Sequence, residues 1–406
     1  MEFRSMFKNI FGINRPKEKP QYMENMQLIN GYNNTITRYN FSNSDLTIRT
    51  CVDCIAKHIS KLKPVHIRSN THKAIINSNL NTLLSNRPNP YNSTADFLYK
   101  IATQAFLHGN ALIYVQKNNN GDVTALYPLD FATLELKEQN NILFCMFYFN
   151  GSMSKKVVPY TDLIHIRKNF IDDEFWGQSP QKALKETLEM LSISRQSIGN
   201  KINNSGKISG ILKIKGSIGA KNWLQAAKDF ATAFKNLKND TAGIAAIDSS
   251  TDFITVPTTV DSAEDTQINF LQEEIYKFFG LNKSIISGDY TEQQWQSFYE
   301  TTLEPFIIQL DQEFTEKLFT KKEQKHGNKI YFNSNRLAYM STQNKVSMIK
   351  ELSAIGLLTI NESRELFDLD PIEDGNKRLV SLNYVNADKA DQYQLEGRGK
   401  SKKCLN

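Results

Sequence analysis

Apolar side chains recur every three or four positions along some stretches of the chain and every second position along others, and this change of period lays out the elements. Ile48, Val52, Ile55, Ile59 and Leu62 step 4, 3, 4, 3 after Ser44, which predicts a helix that Pro64 stops. A second helix is expected at Thr94–His108, where Phe97, Leu98, Ile101, Ala105 and Phe106 share one side and Gly109 ends the run. From 110 to 167 the period becomes two: ALIYVQK, the NNNGD turn, VTALYPL, TLELK, ILFCMFYF and LIHIR read as strands. The first 170 residues therefore predict a mixed α+β domain.

The texture then changes. A long helix is expected at 180–203, with Leu184, Leu188, Leu191, Ile198 and Ile202 in one narrow seam and Arg195 in its sixth place. At about 1.5 Å per residue it spans roughly 36 Å. Its other face carries Lys182, Lys185, Glu186, Glu189, Gln196 and Asn200, so the seam must pack against other helices. Residues 205–260 read as a small αβ insert: the strand SGILKIKG, then a helix at 220–237 with Trp223, Leu224, Ala227, Phe230, Ala231 and Phe234 inward, then AGIAAID and DFITVP as strands. A second seam helix at 265–279 follows, with Ile268, Leu271, Ile275 and Phe278 spaced 3, 4, 3. Next come the polar stretch LNKSIISGDYTEQ and a third long helix at 292–319 that Pro305 should kink. After the strand KIYFNSN two short helices are expected, one at 342–354 and one opened by the capping box Thr359-x-x-Glu362 and closed before Pro371. The polar ends, 12–24 and 386–406, should carry no core, and no internal repeat is visible.

A chain of 406 residues with 40% hydrophobic and 23% charged residues is neither a disulfide-stapled miniprotein, nor wholly disordered, nor membrane-embedded in character. Four scattered cysteines, Cys51, Cys54, Cys145 and Cys404, favour a reducing compartment. No signal-peptide core and no uninterrupted run of 18 apolar residues is present, so a cytoplasmic product with no membrane association is expected. The net charge of +6 is mild, but 201–240 holds eight lysines against Asp229 and Asp240.

Candidate chemistry is sparse. The only Gly-Lys-Ser, at 399–401, has Gln394 where a P-loop needs its leading glycine. HExxH, GxSxG and GxGxxG are absent and the six histidines are scattered, so no cofactor is expected and a structural or binding role is favoured over an enzyme. Cys51-x-x-Cys54-x-x-x-His58 would share two helical turns, a possible metal motif without a fourth ligand, and small core cysteines account for it as well. His165 with Asp172, Asp173 and Glu174 is a candidate for metal-dependent nuclease chemistry, although acids so grouped are ordinarily a solvated turn.

Eight segments in order carry a resemblance: LLSNRPNPYNSTADFLYKIATQAFLHGNALIYV (83–115), YPLD (127–130), VPYTDLIHIR (158–167), GQSP (177–180), SGKISGILKI (205–214), FFGL (278–281), ETLEPFIIQLDQEFTEKLF (300–319) and GLLTINESRELFDLDPIEDG (356–375). With them the chain resembles the phage portal proteins of the Hong Kong 97-like family. The resemblance implies an α+β portal fold: a mixed α/β wing, two long stem helices bracketing a small αβ clip, a kinked tunnel helix and a short helical crown. It divides the chain into a flexible arm (1–24), wing (25–179), stem helix (180–204), clip (205–261), second stem helix (262–280), tunnel loop (281–294), long helix with a wing return strand (295–340), crown (341–375) and flexible tail (376–406). Where this family often has proline after FG, the chain reads Leu281-Asn282-Lys283.

The implied function is a non-enzymatic ring, usually of twelve copies, at one capsid vertex of the virion, assembled in the host cytoplasm. Its implied partners are double-stranded DNA bound without sequence preference, the terminase large subunit, the major capsid or scaffold protein and a head–tail adaptor. Asn282, Lys283, Ser284, Ser287, Asp289, Tyr290 and Thr291 are then the channel-lining candidates, and Lys207, Lys213, Lys215 and Lys221 the docking candidates of the clip. Seam helices that cannot bury themselves alone suit a ring of repeated subunits. A DNA pore must not grip phosphates strongly, and Lys283 against Asp289 and Glu292 gives a near-neutral stretch. The alternatives are the nuclease built on His165 and a cytoplasmic adaptor that binds through its seam helices without closing a ring.

Overall fold

The computed structural model describes residues 27–28, 35–38, 46–68, 78–149, 155–171, 175–205, 210–214, 224–225, 228–229, 232, 251–255, 262–333, 342–367 and 369–380. The fold class is α+β, and the chain divides into two compact units, one of 1–40, 48–180 and 279–406, the other of 41–47 and 181–278. In chain order the elements begin with strands β1 (Gln27–Leu28) and β2 (Thr35–Thr37), helix α1 (Leu46–Ile59), strand β3 (Lys63–Arg68) and helices α2 (Asn79–Ser85) and α3 (Thr94–His108). Strands β4 (Asn110–Lys117), β5 (Val123–Pro128), β6 (Thr133–Gln139), β7 (Ile142–Tyr148), β8 (Lys155–Pro159) and β9 (Leu163–Arg167) follow. Then come α4 (Pro180–Ser205), β10 (Gly210–Ile214), β11 (Thr251–Thr255), α5 (Ser262–Phe278), α6 (Lys283–Ser287), α7 (Glu292–Phe298), a π-helical turn (Tyr299–Leu303), α8 (Glu304–Leu318), α9 (Lys321–Lys325) and β12 (Asn328–Asn333). The last are α10 (Thr342–Ala354), β13 (Ile355–Thr359), α11 (Ile360–Glu365) and β14 (Arg378–Val380).

In the first unit β6, β7 and β8 form an antiparallel meander to which β1 and β2 both add along β6, while β4 lies between β5 and β9 in a separate sheet. Leu112, Phe131, Leu134, Leu136, Cys145, Phe147 and Trp176 share one core between these strands. Helix α3 is fixed at both ends by its own sequence. Ser93 and Asp96 close a capping box at its start, and Gly109 (φ 77°) ends it with its N–H on the Ala105 carbonyl.

Helix α8 is the other organising element. Phe306, Leu310 and Phe314 turn inward, meeting Phe106 at 5.1 Å between ring centroids and Phe97 and Phe332 at 6.4 and 5.0 Å. The Asp311 carboxylate accepts the Phe332 N–H at 2.7 Å and the Thr315 hydroxyl accepts the Ile330 N–H at 3.0 Å, so α8 grips the β3–β12 ribbon by its backbone.

Three expectations change here. Pro64, read as a helix stop, also opens β3, where its missing N–H is tolerated in a two-stranded ribbon. The third helix runs without a break from Glu292 to Leu318, as expected, but holds a π-helical turn inside it, with the Glu304 N–H on the Tyr299 carbonyl, and Pro305 falls in the first turn of α8. There its missing donor costs least, and the wider turn ahead of it absorbs the ring. The polar stretch 281–294 is a short helix between two caps rather than an open loop.

In the second unit, α4 buries Leu184 and Leu191 and α5 buries Leu271 and Ile275. Arg195, the polar intruder in the seam, donates to the Thr47 hydroxyl at 3.0 Å. Met190, Ile193, Ile202 and Phe270 are 56%, 66%, 60% and 58% exposed. Met190 and Ile193 lie off the seam, so α4 carries a second apolar edge that the sequence reading did not mark. β10 and β11 pair antiparallel with Lys213 opposite Asp252. Leu224, expected inward, is helical but 68% exposed. The remaining inward calls for that helix and the strand AGIAAID lie outside the described residues. Among the described residues no helix is long and apolar enough to cross a membrane.

Candidate functional site

The segment expected to face a channel, 281–294, follows Gly280, whose backbone is left-handed (φ 69°). A Cβ there would collide with the Thr302 hydroxyl, which donates instead to the Gly280 carbonyl at 3.2 Å, so only glycine joins α5 to α6 in this way. Asn282 caps α6, its carboxamide oxygen accepting the Ile285 N–H at 2.8 Å. Leu281 and Ile285 are buried and hold the segment down. Gly288 (φ 80°) closes α6, and Thr291 opens α7 through a capping box with Gln294.

Of the seven channel candidates, Asn282, Ser287 and Thr291 therefore commit their side chains to the local backbone. Ser284 and Tyr290 are half-buried, Tyr290 lying on the Trp295 ring at 5.6 Å. Lys283 and Asp289 remain as the exposed charges, one of each sign.

Beneath this segment lie Cys51, Cys54 and His58. Cys54 directs its Sγ at the Ile285 carbonyl, 4.0 Å away, and the His58 ring packs on Trp295 and Phe298 at 4.7 and 5.7 Å. Burial lowers the His58 pKa to about 4 and raises the Cys51 thiol to about 12, so the three side chains are held in neutral form. Their role is packing: Cys51 lies in the core and the other two floor the α6–α7 segment. Among the described residues no group of three His, Cys, Asp or Glu side chains could hold a metal ion.

His165 sits at a different node. Its Nε2 faces the Asn110 Oδ1 at 2.9 Å and its Nδ1 the Tyr160 hydroxyl at 3.2 Å. Asn110 also accepts the Gly177 N–H at 3.0 Å and donates to the Gly177 carbonyl at 2.6 Å. That orientation of the carboxamide makes Nε2–H the donor and leaves Nδ1 to accept from Tyr160. Burial lowers the His165 pKa to about 3, and both ring nitrogens are engaged, so it has no lone pair for a metal or a water. Asp172, Asp173 and Glu174 lie outside the described residues. Gly109 and Gly177 approach so closely that a Cβ on either would strike the backbone of the facing segment. Sequence reading missed this node, although its parts stood in the matched segments HGNALIYV, LIHIR and GQSP. The signal was a pair of glycines each next to a polar residue.

Of the clip candidates, Lys213 is exposed on β10, and Lys207, Lys215 and Lys221 lie outside the described residues.

Comparison with known proteins fits this architecture. The profile of the family described as phage portal protein matches residues 46–368, most of the chain. The chain belongs to the phage portal protein family. Relatives of this portal-family chain include the probable portal protein of Lactococcus phage p2, 24% identical over 230 residues, a match covering 54% of the chain and 60% of that protein. The chain thus spans less than two thirds of that relative's length. The portal protein of Enterobacteria phage HK97 is 23% identical over 359 residues, covering 84% of the chain and 82% of its own length. Among solved structures, a chain from the neck of a native gene transfer agent particle computed with C12 symmetry has a TM-score of 0.54 at 16% identity. That alignment covers 84% of the portal-family chain and 97% of the solved one, and the likeness is one of fold.

Proposed function

We propose that the chain assembles into a homo-oligomeric ring of twelve copies at one vertex of a phage capsid, a conduit for double-stranded DNA in packaging and ejection. The observation that carries the reading is the unfinished apolar surface of α4 and α5, with Met190, Ile193, Ile202 and Phe270 more than half exposed in the single chain. Lateral contact between identical copies is the simplest way to cover such edges on a member of this family. The α6–α7 segment supplies the channel lining. With Lys283 and Asp289 of opposite sign, it offers each copy about as much repulsion as attraction for passing phosphates. Lys213 and the neighbouring lysines of the clip are the docking side for the terminase large subunit and, after packaging, for a head–tail adaptor. The major capsid or scaffold protein surrounds the ring, and the energy for translocation comes from the terminase ATPase.

Negative-stain imaging of the purified chain, combined with a solution mass measurement, tests this directly. Rings with a central hole and a mass near twelve chains are expected. A monomer or dimer at every concentration tried rules the conduit out and leaves an adaptor that binds through open helix edges.

A further inference from the structure

Helix α10, strand β13, helix α11 and strand β14 wall an apolar groove of about 310 Å³. Ile349, Leu358, Ile360, Phe367, Leu369 and Leu379 make up its apolar surface. Asn361 staples the chain between α11 and β14 in place: its carboxamide accepts the Ile372 N–H at 2.9 Å and donates to the Ile372 carbonyl at 3.1 Å. The Asn361 N–H donates to the Gly375 carbonyl at 2.8 Å, and a Cβ on Gly375 would strike the Asn361 side chain. The groove is therefore preformed, and its volume falls at the small end of the range of small-molecule sites, about 300–1,000 Å³.

Three polar side chains interrupt the apolar wall, Ser353, Ser363 and Arg364. Ser363 spends its hydroxyl on the Thr359 carbonyl, 2.9 Å away. Arg364 donates through Nε to the Asp370 carbonyl at 2.7 Å, which fixes the plane of the guanidinium. Among the described residues its two terminal nitrogens have no acceptor, no acid pairs with it, and the Ser353 hydroxyl has no partner. A guanidinium with its terminal edge open offers two parallel N–H donors, the geometry that grips a carboxylate. One such group balances one negative charge, and the aliphatic wall beside it suits a hydrocarbon chain.

We propose that this groove binds a small aliphatic carboxylate, its tail against Ile349, Leu358 and Leu379, its head on the Arg364 fork and the Ser353 hydroxyl as a further donor. The proposal is independent of the conduit reading.

Isothermal titration calorimetry of the full chain with sodium decanoate tests it. Saturation at one decanoate per chain is expected, with binding at least about tenfold weaker for Arg364→Gln, and for the unaltered chain titrated with decanol, which has the same tail and no charge. Should Arg364→Gln lose its fold by circular dichroism, the comparison of decanoate with decanol carries the test. Decanoate that does not saturate, that binds no better than decanol, or that binds equally to a folded Arg364→Gln overturns the proposal. A second measurement locates the ligand: a decanoic acid with a diazirine in its tail, irradiated with the full chain, should join peptides from 349–379. Insertion only elsewhere, in α4 or α5 for example, would show an adventitious additive only on other apolar surface, and overturns it equally.

Discussion

Asn110 holds four polar groups at once: the N–H and carbonyl of Gly177, the His165 ring and, through that ring, the Tyr160 hydroxyl. Asn110→Leu leaves buried donors and acceptors unpaired, and urea denaturation should show a loss of about 2–4 kcal/mol. The buried histidines also set the acid response. Burial lowers His58 and His108 to about 4 and His165 to about 3, below the ordinary value of 6.5. In acid the unfolded chain takes up these protons first, so stability complete above pH 6.5 is lost as pH falls towards 4 and, for His165, towards 3. Asp311, pushed up to about 6 by burial, acts in the opposite sense, losing stability as pH rises through 6. His66 is lowered by burial too, and Asp53, Glu316 and Glu323 are lowered by their hydrogen-bond partners, whereas only Asp311 and Glu313 are raised, so stability should fall on acidification. His165→Gln should flatten the dependence of unfolding free energy between pH 6 and 4 by up to about 1.4 kcal/mol per pH unit. An unchanged slope would show that His165 does not stay neutral in the fold.

The junction of α5 with α6 meets the π-helical turn at Thr302, whose hydroxyl fills the space where a Gly280 side chain would stand. Gly280→Ala meets both a left-handed backbone and a collision. Gly121→Ala meets a left-handed backbone (φ 89°) in open space. The first should cost about 2–3 kcal/mol and the second about 1, measured by chemical denaturation of the two variants side by side. Equal costs would mean that the Thr302 contact yields freely. This junction also explains why the polar residues of 282–291 are poor guides to a DNA surface: a short helix needs caps, and Asn282 and Thr291 provide them.

For the whole molecule the proposed conduit stands or falls on assembly. Met190 and Ile193 are already exposed, so Met190→Asp together with Ile193→Asp should leave the circular dichroism of the chain unchanged and cut the fraction in rings at least tenfold by mass photometry. Rings that persist would move the contact to another surface. If α6–α7 lines the proposed conduit, Lys283→Ala should change the rate of DNA translocation in a packaging assay less than about twofold. Asp289→Lys, repeated around the ring, should slow translocation, most at low salt, because each copy then adds a phosphate contact. A rate indifferent to charge at 289 would take α6–α7 away from the DNA.

Much of the architecture was legible from period alone. Thr94–His108 and Thr342–Ala354 match their expected bounds, the first because local signals decide it: a capping box, a terminal glycine and an apolar stripe. β1, β2 and β14 are two or three residues long and have no period to read; they exist only because β6 and β13 offer them an edge. Period and caps alone placed α1, α3, α4, α5, α8 and α10 and the strands β4–β7, β9 and β12, but not the short α2, α6 and α9 nor β3 and β8, which closes the meander. Tertiary structure decided what the candidate residues touch: that His165 is locked in a neutral core node, that Cys54 and His58 pack under the α6–α7 segment, and that Asn282 and Thr291 face their own backbone. The physical reason is range, since propensity and capping act within a few residues, whereas burial and hydrogen-bond partners are set by chain segments 55 to 231 positions apart.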